Sequence, residues 1–125
     1  MNAQAEQVGD RFYGWVVLDG CEIVGTLGLE HVERDAHVQS AHIGYWITGP
    51  RRGRGIASKA VALALVEVHG GLEFHRIHAN VQVGNLASHA VLERNDFERI
   101  GIARQLFKFG DVWRDYILYQ HLPAG

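Results

Sequence analysis

Residues 51–57 combine glycine and arginine directly before a predicted helix, and this combination suits the binding of phosphate. Glycine lets the backbone approach a ligand closely and aim its N–H groups at it. The first turn of the helix adds unpaired amides and the positive end of the helix dipole, while the arginines attract anions. The sequence therefore predicts a pyrophosphate site formed by Arg52, Gly53, Arg54, Gly55, Ile56 and Ala57.

Other phosphate-binding motifs fit this turn less well. A P-loop needs a Gly-Lys-Ser/Thr ending after four intervening residues, and the turn lacks it. A dinucleotide-binding turn needs a third glycine, where this chain has Ser58, and an acid at the end of the next strand, whereas residues 77–83 contain none. A surface loop that binds nothing is the remaining alternative from the loop alone.

Apolar alternation and the turn residues between the apolar runs predict one domain, residues 1–125, built on a sheet. The predicted strands cover residues 12–18, 22–29, 38–48, 77–83, 97–109 and 112–122. One helix covers residues 56–68, and a shorter helix follows an N-cap at Asn85. The order predicts an α+β fold in three layers, with a mixed, mainly antiparallel sheet, a central strand–helix–strand crossover and a C-terminal hairpin.

Two local details of the sheet follow from individual residues. Asp19-Gly20 predicts a type I′ hairpin turn between the first two strands, because both positions of that turn need positive φ. Gly44, inside the third strand, indicates either a bulge or a close approach of something else to the backbone.

Composition and charge exclude several classes of protein. A net charge of −2 argues against a general nucleic-acid or membrane-surface binder. Cys21 is the only cysteine, which excludes a disulfide framework. His75 and His78 point to opposite faces of a strand. Since His31, His37 and His42 have no Cys or close acidic partner with ligand spacing, we expect no metal site. Because we find neither a signal peptide nor an apolar run of membrane-spanning length, we expect a cytoplasmic protein.

The glycine turn is one of several blocks that resemble the GNAT superfamily of acyl-CoA-dependent N-acyltransferases. Residues 52–57 match the Gln/Arg-x-x-Gly-x-Gly/Ala signature of that family. Residues 43–47, 85–88 and 91–97 are similar to the RimJ/RimL branch, which acetylates N-termini of ribosomal proteins and has relatives that act on small amines. The resemblance runs from about residue 12 to residue 122, and it implies a GNAT-like fold that uses acetyl-CoA.

The resemblance also implies positions for acetyl-CoA. In the family, the bulged strand that matches residues 44–47 splays from the strand that matches residues 77–83, and the pantetheine arm lies in the gap. A backbone N–H at Trp46 or Ile47 then polarises the thioester carbonyl, and the glycine turn cradles the pyrophosphate. Asn85 matches an asparagine that contacts the pantetheine or anchors its strand; helix capping alone is the alternative.

The reaction that the resemblance implies is direct attack of a neutral amine on the thioester. Many family members protonate the leaving thiolate with a tyrosine at the position of Leu92, but in the ribosomal-protein branch a serine is thought to serve, and Ser88 matches it. The alternative is that Ser88 is simply a polar residue in the first turn of a helix. The branch often has a glutamate as base where Phe107 stands. The remaining candidates for the base are Glu30, His31, His42 and a water relay.

A departure from the family concerns the start of the chain. Family members usually carry another strand and two helices, which line the acceptor pocket, before the hairpin at Asp19-Gly20. Residues 1–11 are too few for these elements at about 1.5 Å of helix rise per residue. We therefore expect a homodimer whose partner fills the gap, an unusually open acceptor site, or a shortened relic. The expected acceptor is a protein N-terminus; a polyamine, antibiotic or other small amine, and a non-catalytic CoA-binding protein, are the alternatives.

Overall fold

The computed structural model describes residues 2–7, 13–49 and 55–123, which form a seven-stranded sheet and two helices. The strands are β1 (Asn2–Gln7), β2 (Tyr13–Asp19), β3 (Glu22–Arg34), β4 (Gln39–Ile47), β5 (Arg76–Gln82), β6 (Glu98–Phe109) and β7 (Val112–His121). The helices are α1 (Ile56–His69), between β4 and β5, and α2 (Leu86–Arg94), between β5 and β6. The sheet order is β1-β2-β3-β4-β5-β7-β6, and its neighbouring strands are antiparallel except for β4 and β5.

This topology confirms the mixed, mainly antiparallel sheet, the central β4–α1–β5 crossover and the C-terminal β6–β7 hairpin. Both helices pack on one face of the sheet. Trp15 of β2 donates a hydrogen bond to Glu67 of α1 at 3.0 Å, and Tyr119 of β7 bonds His89 of α2 at 2.7 Å. The strand register puts Trp15 and Tyr119 on the same face.

The described residues therefore form two layers, where the sequence analysis expected three. The two crossovers, from β4 to β5 and from β5 to β6, run in the same direction across the sheet. Because such connections are right-handed, both helices are placed on the same side. The core lies between that face and the inward residues of α1, which are Ile56, Ala60, Val61, Ala64, Leu65 and Val68.

Strand β1 was not predicted from the sequence. It pairs antiparallel with β2, from Asn2 opposite Leu18 to Gln7 opposite Tyr13. Its residues, Asn-Ala-Gln-Ala-Glu-Gln, include neither the β-branched nor the aromatic types that favour strands. The strand is therefore specified by backbone pairing with β2, a tertiary contact that local propensity does not report.

The turn between β2 and β3 also corrects a prediction. Asp19 pairs with Glu22, so the two loop residues are Gly20 and Cys21 rather than Asp19 and Gly20. Gly20 has φ of 65°, whereas Cys21 is not among the described residues with positive φ. A single positive φ at the first loop position is typical of a type II′ turn, not of the predicted type I′ turn.

Strands β4 and β5 separate soon after they meet, and this separation shapes the site. They pair at only three positions, from Ser40 opposite Arg76 to His42 opposite His78. On the other side of β4, its register with β3 runs without a shift from His42 to Ile47. The predicted bulge at Gly44 is therefore wrong. No described atom lies within 4 Å of a Cβ built at Gly44, so the space beside it is open to a ligand.

Candidate active site

Helix α1 begins at the open end of β4 with a glycine cap. Gly55 has φ of 75°, a left-handed conformation that glycine adopts without strain. The first intrahelical bond runs from Lys59 N–H to the Gly55 carbonyl at 3.1 Å, so the amides of Ile56, Ala57 and Ser58 precede it. No side chain caps this end among the described residues, and its first turn contains no acid. Amides at the start of a helix that have no partner among the described residues suit the binding of an anion.

The rest of the predicted phosphate turn cannot be placed beside these amides. Arg52, Gly53 and Arg54 lie outside the described residues. Their assignment to the pyrophosphate site stays a prediction from the sequence.

Ser58 adds a polar group that the sequence analysis did not assign. Its Oγ is buried and has no hydrogen-bond partner among the described residues. Its carbonyl accepts a bond from Asn95 Nδ2 at 3.0 Å, which ties the end of α2 to the first turn of α1. A buried hydroxyl without a partner is uncommon in folded proteins, so Ser58 Oγ has an unused hydrogen bond to donate.

A cavity of about 500 Å³ lies between the end of β4, the start of α1 and the length of α2. It brings together residues that the sequence analysis assigned to the site, which are Trp46, Ile47, Gly55, Ile56, Ala57, Asn85 and Ser88. Tyr45, Ser58 and Arg94 also line the cavity, although the sequence analysis gave them no role. Arg94, in the last turn of α2, adds a positive charge to this wall.

A second cavity, of about 220 Å³, lies where β4 and β5 have separated. Gly44 lines it on the β4 side and Asn80 on the β5 side. Tyr45, Asn85 and Ser88 line both cavities, so the two spaces meet at these residues. The two cavities therefore lie side by side between the start of α1 and the gap in the sheet.

Tyr45 and Ser88 form a hydrogen-bonded pair of hydroxyl groups at this junction. The Tyr45 hydroxyl donates to Ser88 Oγ at 3.1 Å. Burial raises the pKa of Tyr45, an effect that the bond with Ser88 partly offsets. Ser88 is held in the first turn of α2, where its N–H donates to Asn85 Oδ1 at 3.3 Å. The predicted N-cap at Asn85 is thus confirmed.

A buried histidine fixes α2 against the sheet. His89 Nε2 lies 3.1 Å from the carbonyl oxygens of both Gln82 and Val83. Because carbonyls only accept, Nε2 carries the proton, and Nδ1 accepts from the Tyr119 hydroxyl at 2.7 Å. These bonds hold α2, and with it Ser88, at the end of β5.

Known proteins share this sequence pattern and this fold. The sequence model described as the Acetyltransferase (GNAT) domain matches residues 1–98. The chain belongs to this family.

Two GNAT relatives and one solved structure illustrate the similarity. The probable N-acetyltransferase YjcK of Bacillus subtilis (strain 168) is 39% identical over 111 residues, which are 89% of this chain and 61% of that protein. The ribosomal protein uS5-alanine N-acetyltransferase of Escherichia coli (strain K12) is 31% identical over 88% of this chain and 57% of that protein. Mycobacterium smegmatis RimJ, solved in complex with CoA-disulfide, has a TM-score of 0.84 and 36% sequence identity. The match covers 90% of this chain and 53% of that protein.

These relatives confirm the resemblance to the RimJ/RimL branch. The chain spans little more than half the length of these three proteins, between 53% and 61% of each.

The predicted candidates for the general base lie away from the two cavities. Glu30 is exposed on β3, opposite His42 of β4, and neither residue lines the cavities described above. The His42 ring stacks on His78 with 4.9 Å between ring centroids, and the His31 ring lies 5.4 Å from His42. The role of Glu30 in catalysis stays a prediction.

The resemblance described in the sequence analysis matches two residues, Leu92 and Phe107, to positions that other family members use for catalysis. Leu92, at the position of the usual tyrosine, is buried in the core with 1% of its surface exposed. Phe107, at the position of the usual glutamate, is exposed and packs edge-on against Tyr116 with 5.0 Å between ring centroids. Neither side chain can donate or accept a proton.

The described residues lack two other kinds of feature, a metal-binding cluster and a membrane-spanning helix. No group of three or more His, Cys, Asp or Glu side chains in this part of the chain is arranged to hold a metal ion. Neither described helix has the length and hydropathy needed to cross a membrane.

The histidine cluster predicts a loss of stability in acid. Burial lowers the pKa of His42 from 6.5 to about 4, with smaller contributions from His78 and His31. Between these two values the unfolded chain binds the proton more readily than the folded protein does. We therefore expect the free energy of unfolding to fall as the pH decreases from about 6.5 towards about 4.

Urea unfolding at several pH values measures this dependence in the parent, in His42→Gln and in the exposed control His75→Gln. The slope against pH is expected to flatten in His42→Gln and to stay unchanged in the control. An equally steep slope in all three proteins would exclude His42 as a source of the acid sensitivity.

Proposed function

We propose that this domain binds acetyl-CoA and transfers its acetyl group to an amine. One observation carries the proposal: a single cavity of about 500 Å³ is lined by the first residues of α1, Ile56, Ala57 and Ser58, and by Ser88 of α2. Ser88 also lines the cavity in the gap between β4 and β5. A ligand with a diphosphate at one end and a reactive group at the other fits such an arrangement.

The diphosphate of acetyl-CoA is proposed to lie at the start of α1. The amides of Ile56 and Ala57 donate to its oxygens, and Ser58 Oγ gains the acceptor that it lacks among the described residues. Arg52, Gly53 and Arg54 complete the cradle, as the sequence predicts. Arg94 lines the same cavity from α2 and adds attraction for the phosphates.

The pantetheine arm is proposed to follow β4 into the gap between the strands. Beyond His42, the described residues form no ladder between β4 and β5, so a ligand can approach the edge of β4 over residues 43–46. A backbone N–H at Trp46 or Ile47 is assigned to the thioester carbonyl, which it would polarise. Asn85 caps α2 and lines both cavities, so its side chain can orient Ser88 as well as meet the arm.

Acetyl-CoA supplies an activated acetyl group as a thioester. The amine nitrogen bonds to the carbonyl carbon, the C–S bond breaks, and its electron pair goes to sulfur. Ser88 is proposed to donate its proton to that sulfur, since it lies where the two cavities meet. The nitrogen then loses its extra proton to water, and a role for Glu30 as the base stays a prediction from the sequence.

A protein N-terminus is the acceptor that the site favours. Among the residues that line the two cavities there is no histidine or carboxylate to serve as base. An α-amine has a pKa of about 7.7–8.0 and is partly neutral without a base, whereas a lysine amine, at about 10.4, is not. The name of the Escherichia coli relative points to the same class of acceptor.

The association state and location of the protein are also proposals. We propose a homodimer, because the tip of the β6–β7 hairpin exposes a group of large apolar residues, Phe107, Phe109, Val112 and Trp113. A single domain over residues 1–125 and a cytoplasmic location stay predictions from the sequence.

A thiol-release assay with acetyl-CoA tests the proposed function. The acceptors are a peptide with a free α-amine, the same peptide with a blocked N-terminus and one internal lysine, and spermidine. We expect release with the free α-amine and far less with the other two. Release with spermidine alone would favour a small-amine acetyltransferase, and binding without release would favour a non-catalytic CoA-binding protein.

A further inference from the structure

The hydrogen bond between Tyr45 and Ser88 joins two hydroxyl groups within the candidate active site. Tyr45 lies on β4, and its neighbours across the ladder with β3 are core residues, so the sequence pattern alone assigns its ring to packing. Its hydroxyl nevertheless leaves the core and donates to Ser88 Oγ at 3.1 Å. Both groups line both cavities, at the point where a leaving thiolate would form.

The pKa values of serine, tyrosine and the leaving thiol decide which hydroxyl is the better source of the proton. A serine hydroxyl is a far weaker acid than a thiol, whose pKa is about 8.5, so serine alone gives up its proton at a high free-energy cost. A phenol, at about 10, lies much closer to the thiol. A proton source closer in pKa to the leaving group is the more efficient catalyst.

Given the acetyl transfer proposed above, we infer that Tyr45 supplies the proton that Ser88 passes to the leaving sulfur. As the C–S bond breaks, the Ser88 O–H bond breaks and an S–H bond forms. The Tyr45 O–H bond breaks at the same time and restores the Ser88 hydroxyl. The phenolate that remains takes up a proton from water, which balances the proton that the amine nitrogen releases.

The surroundings of Tyr45 fit this role. Its ring is half-buried, and burial raises the pKa of the phenol, so the hydroxyl is protonated when the thiolate forms at neutral pH. The bond to Asn85 fixes the backbone of Ser88, and the His89 bonds fix α2 as a whole. The two hydroxyl groups are therefore held in line before any substrate arrives.

Three variants of the full chain test the relay: Tyr45→Phe, Ser88→Ala and the double variant. Tyr13→Phe is the matched control, because Tyr13 is a buried strand tyrosine whose hydroxyl bonds Arg34 and does not line the cavities. We expect Tyr45→Phe to lower kcat by about 10- to 100-fold with the KM for acetyl-CoA within about twofold of the parent. The kcat of the double variant is expected to be no lower than that of Ser88→Ala alone, because the two residues act in series.

The pH profile separates a relay from a packing role. The kcat of the parent is expected to fall at alkaline pH as the phenol ionises, and that fall is expected to be absent in Tyr45→Phe. Unimpaired kcat in Tyr45→Phe, or additive losses in the double variant, would overturn the relay and leave acetyl transfer standing. A parent that releases no thiol with any acceptor would overturn both.

Discussion

Gly55→Trp is expected to abolish the binding of acetyl-CoA. Gly55 lines the cavity beside the free amides of α1, and no described atom lies within 4 Å of a Cβ built there. An indole at this position therefore extends into the space assigned to the diphosphate. In the parent, acetyl-CoA at 100-fold above its Kd stabilises the fold by about 2.7 kcal/mol, which raises the Tm by on the order of 10 °C. The variant is expected to show no such rise.

Gly20→Trp is the matched control for this experiment. Gly20 has φ of 65° against 75° for Gly55, and it too has no described atom within 4 Å of a built Cβ. Both variants thus place a tryptophan in a left-handed conformation, which costs about 1–2 kcal/mol of stability. They differ in position, because Gly20 lies in the turn between β2 and β3. The control is expected to lose stability and to keep the full shift with acetyl-CoA. An equal shift in both variants would remove the start of α1 from the binding site.

Ser88→Ala is expected to lower kcat by about 100-fold, the smaller end of what a positioned acid contributes. The backbone bond from residue 88 to Asn85 Oδ1 survives the substitution, so α2 keeps its cap. The KM for acetyl-CoA should therefore change little, because Ser88 acts on the leaving sulfur and not on the phosphates. Steady-state kinetics with a free α-amine peptide measures both constants.

Ser88→Thr keeps the hydroxyl and serves as the conservative variant. It is expected to recover most of the kcat that Ser88→Ala loses. A kcat in Ser88→Ala equal to that of the parent, or a loss of the same size in both variants, would exclude the hydroxyl as the acid.

The elements with strong local signals were predicted closely from the sequence. The alanine-rich helix was expected at residues 56–68 and is Ile56–His69, and the alternating strand at residues 77–83 is Arg76–Gln82. The last hairpin turns at Gly110-Asp111 as expected, with Gly110 at φ of 63°. In these segments the spacing of the apolar residues and the positions of the glycines favour the same elements that the tertiary structure contains.

Features set by contacts between distant residues were not predicted. β1 has a polar sequence and exists as a strand through its ladder with β2. Strand β3 extends to Arg34, beyond the predicted end at residue 29, through an irregular ladder that includes His31 at φ of 51°. Helix α2 was expected from the sequence. Its packing on the same face of the sheet as α1 was not expected, because that placement depends on the position of β6 in the sheet.

Some residues of the candidate site could be predicted from local sequence signals, and others could not. The glycine turn and Asn85 carry local signals, a glycine before a helix and an asparagine at an N-cap, and the sequence alone assigned them. Tyr45 and Ser58 carry none, since a strand tyrosine and a helix serine usually belong to packing or to the surface. Their significance comes from the Ser88 bond and from a buried hydroxyl without a described partner.

A crystal structure with bound coenzyme A tests the central claim most directly, which is that the amides at the start of α1 bind the diphosphate. The account predicts diphosphate oxygens within hydrogen-bond distance of the amides of Ile56 and Ala57 and of Ser58 Oγ, with the sulfur near Ser88. Coenzyme A bound at another surface, with Ser58 Oγ still lacking a partner, would contradict it.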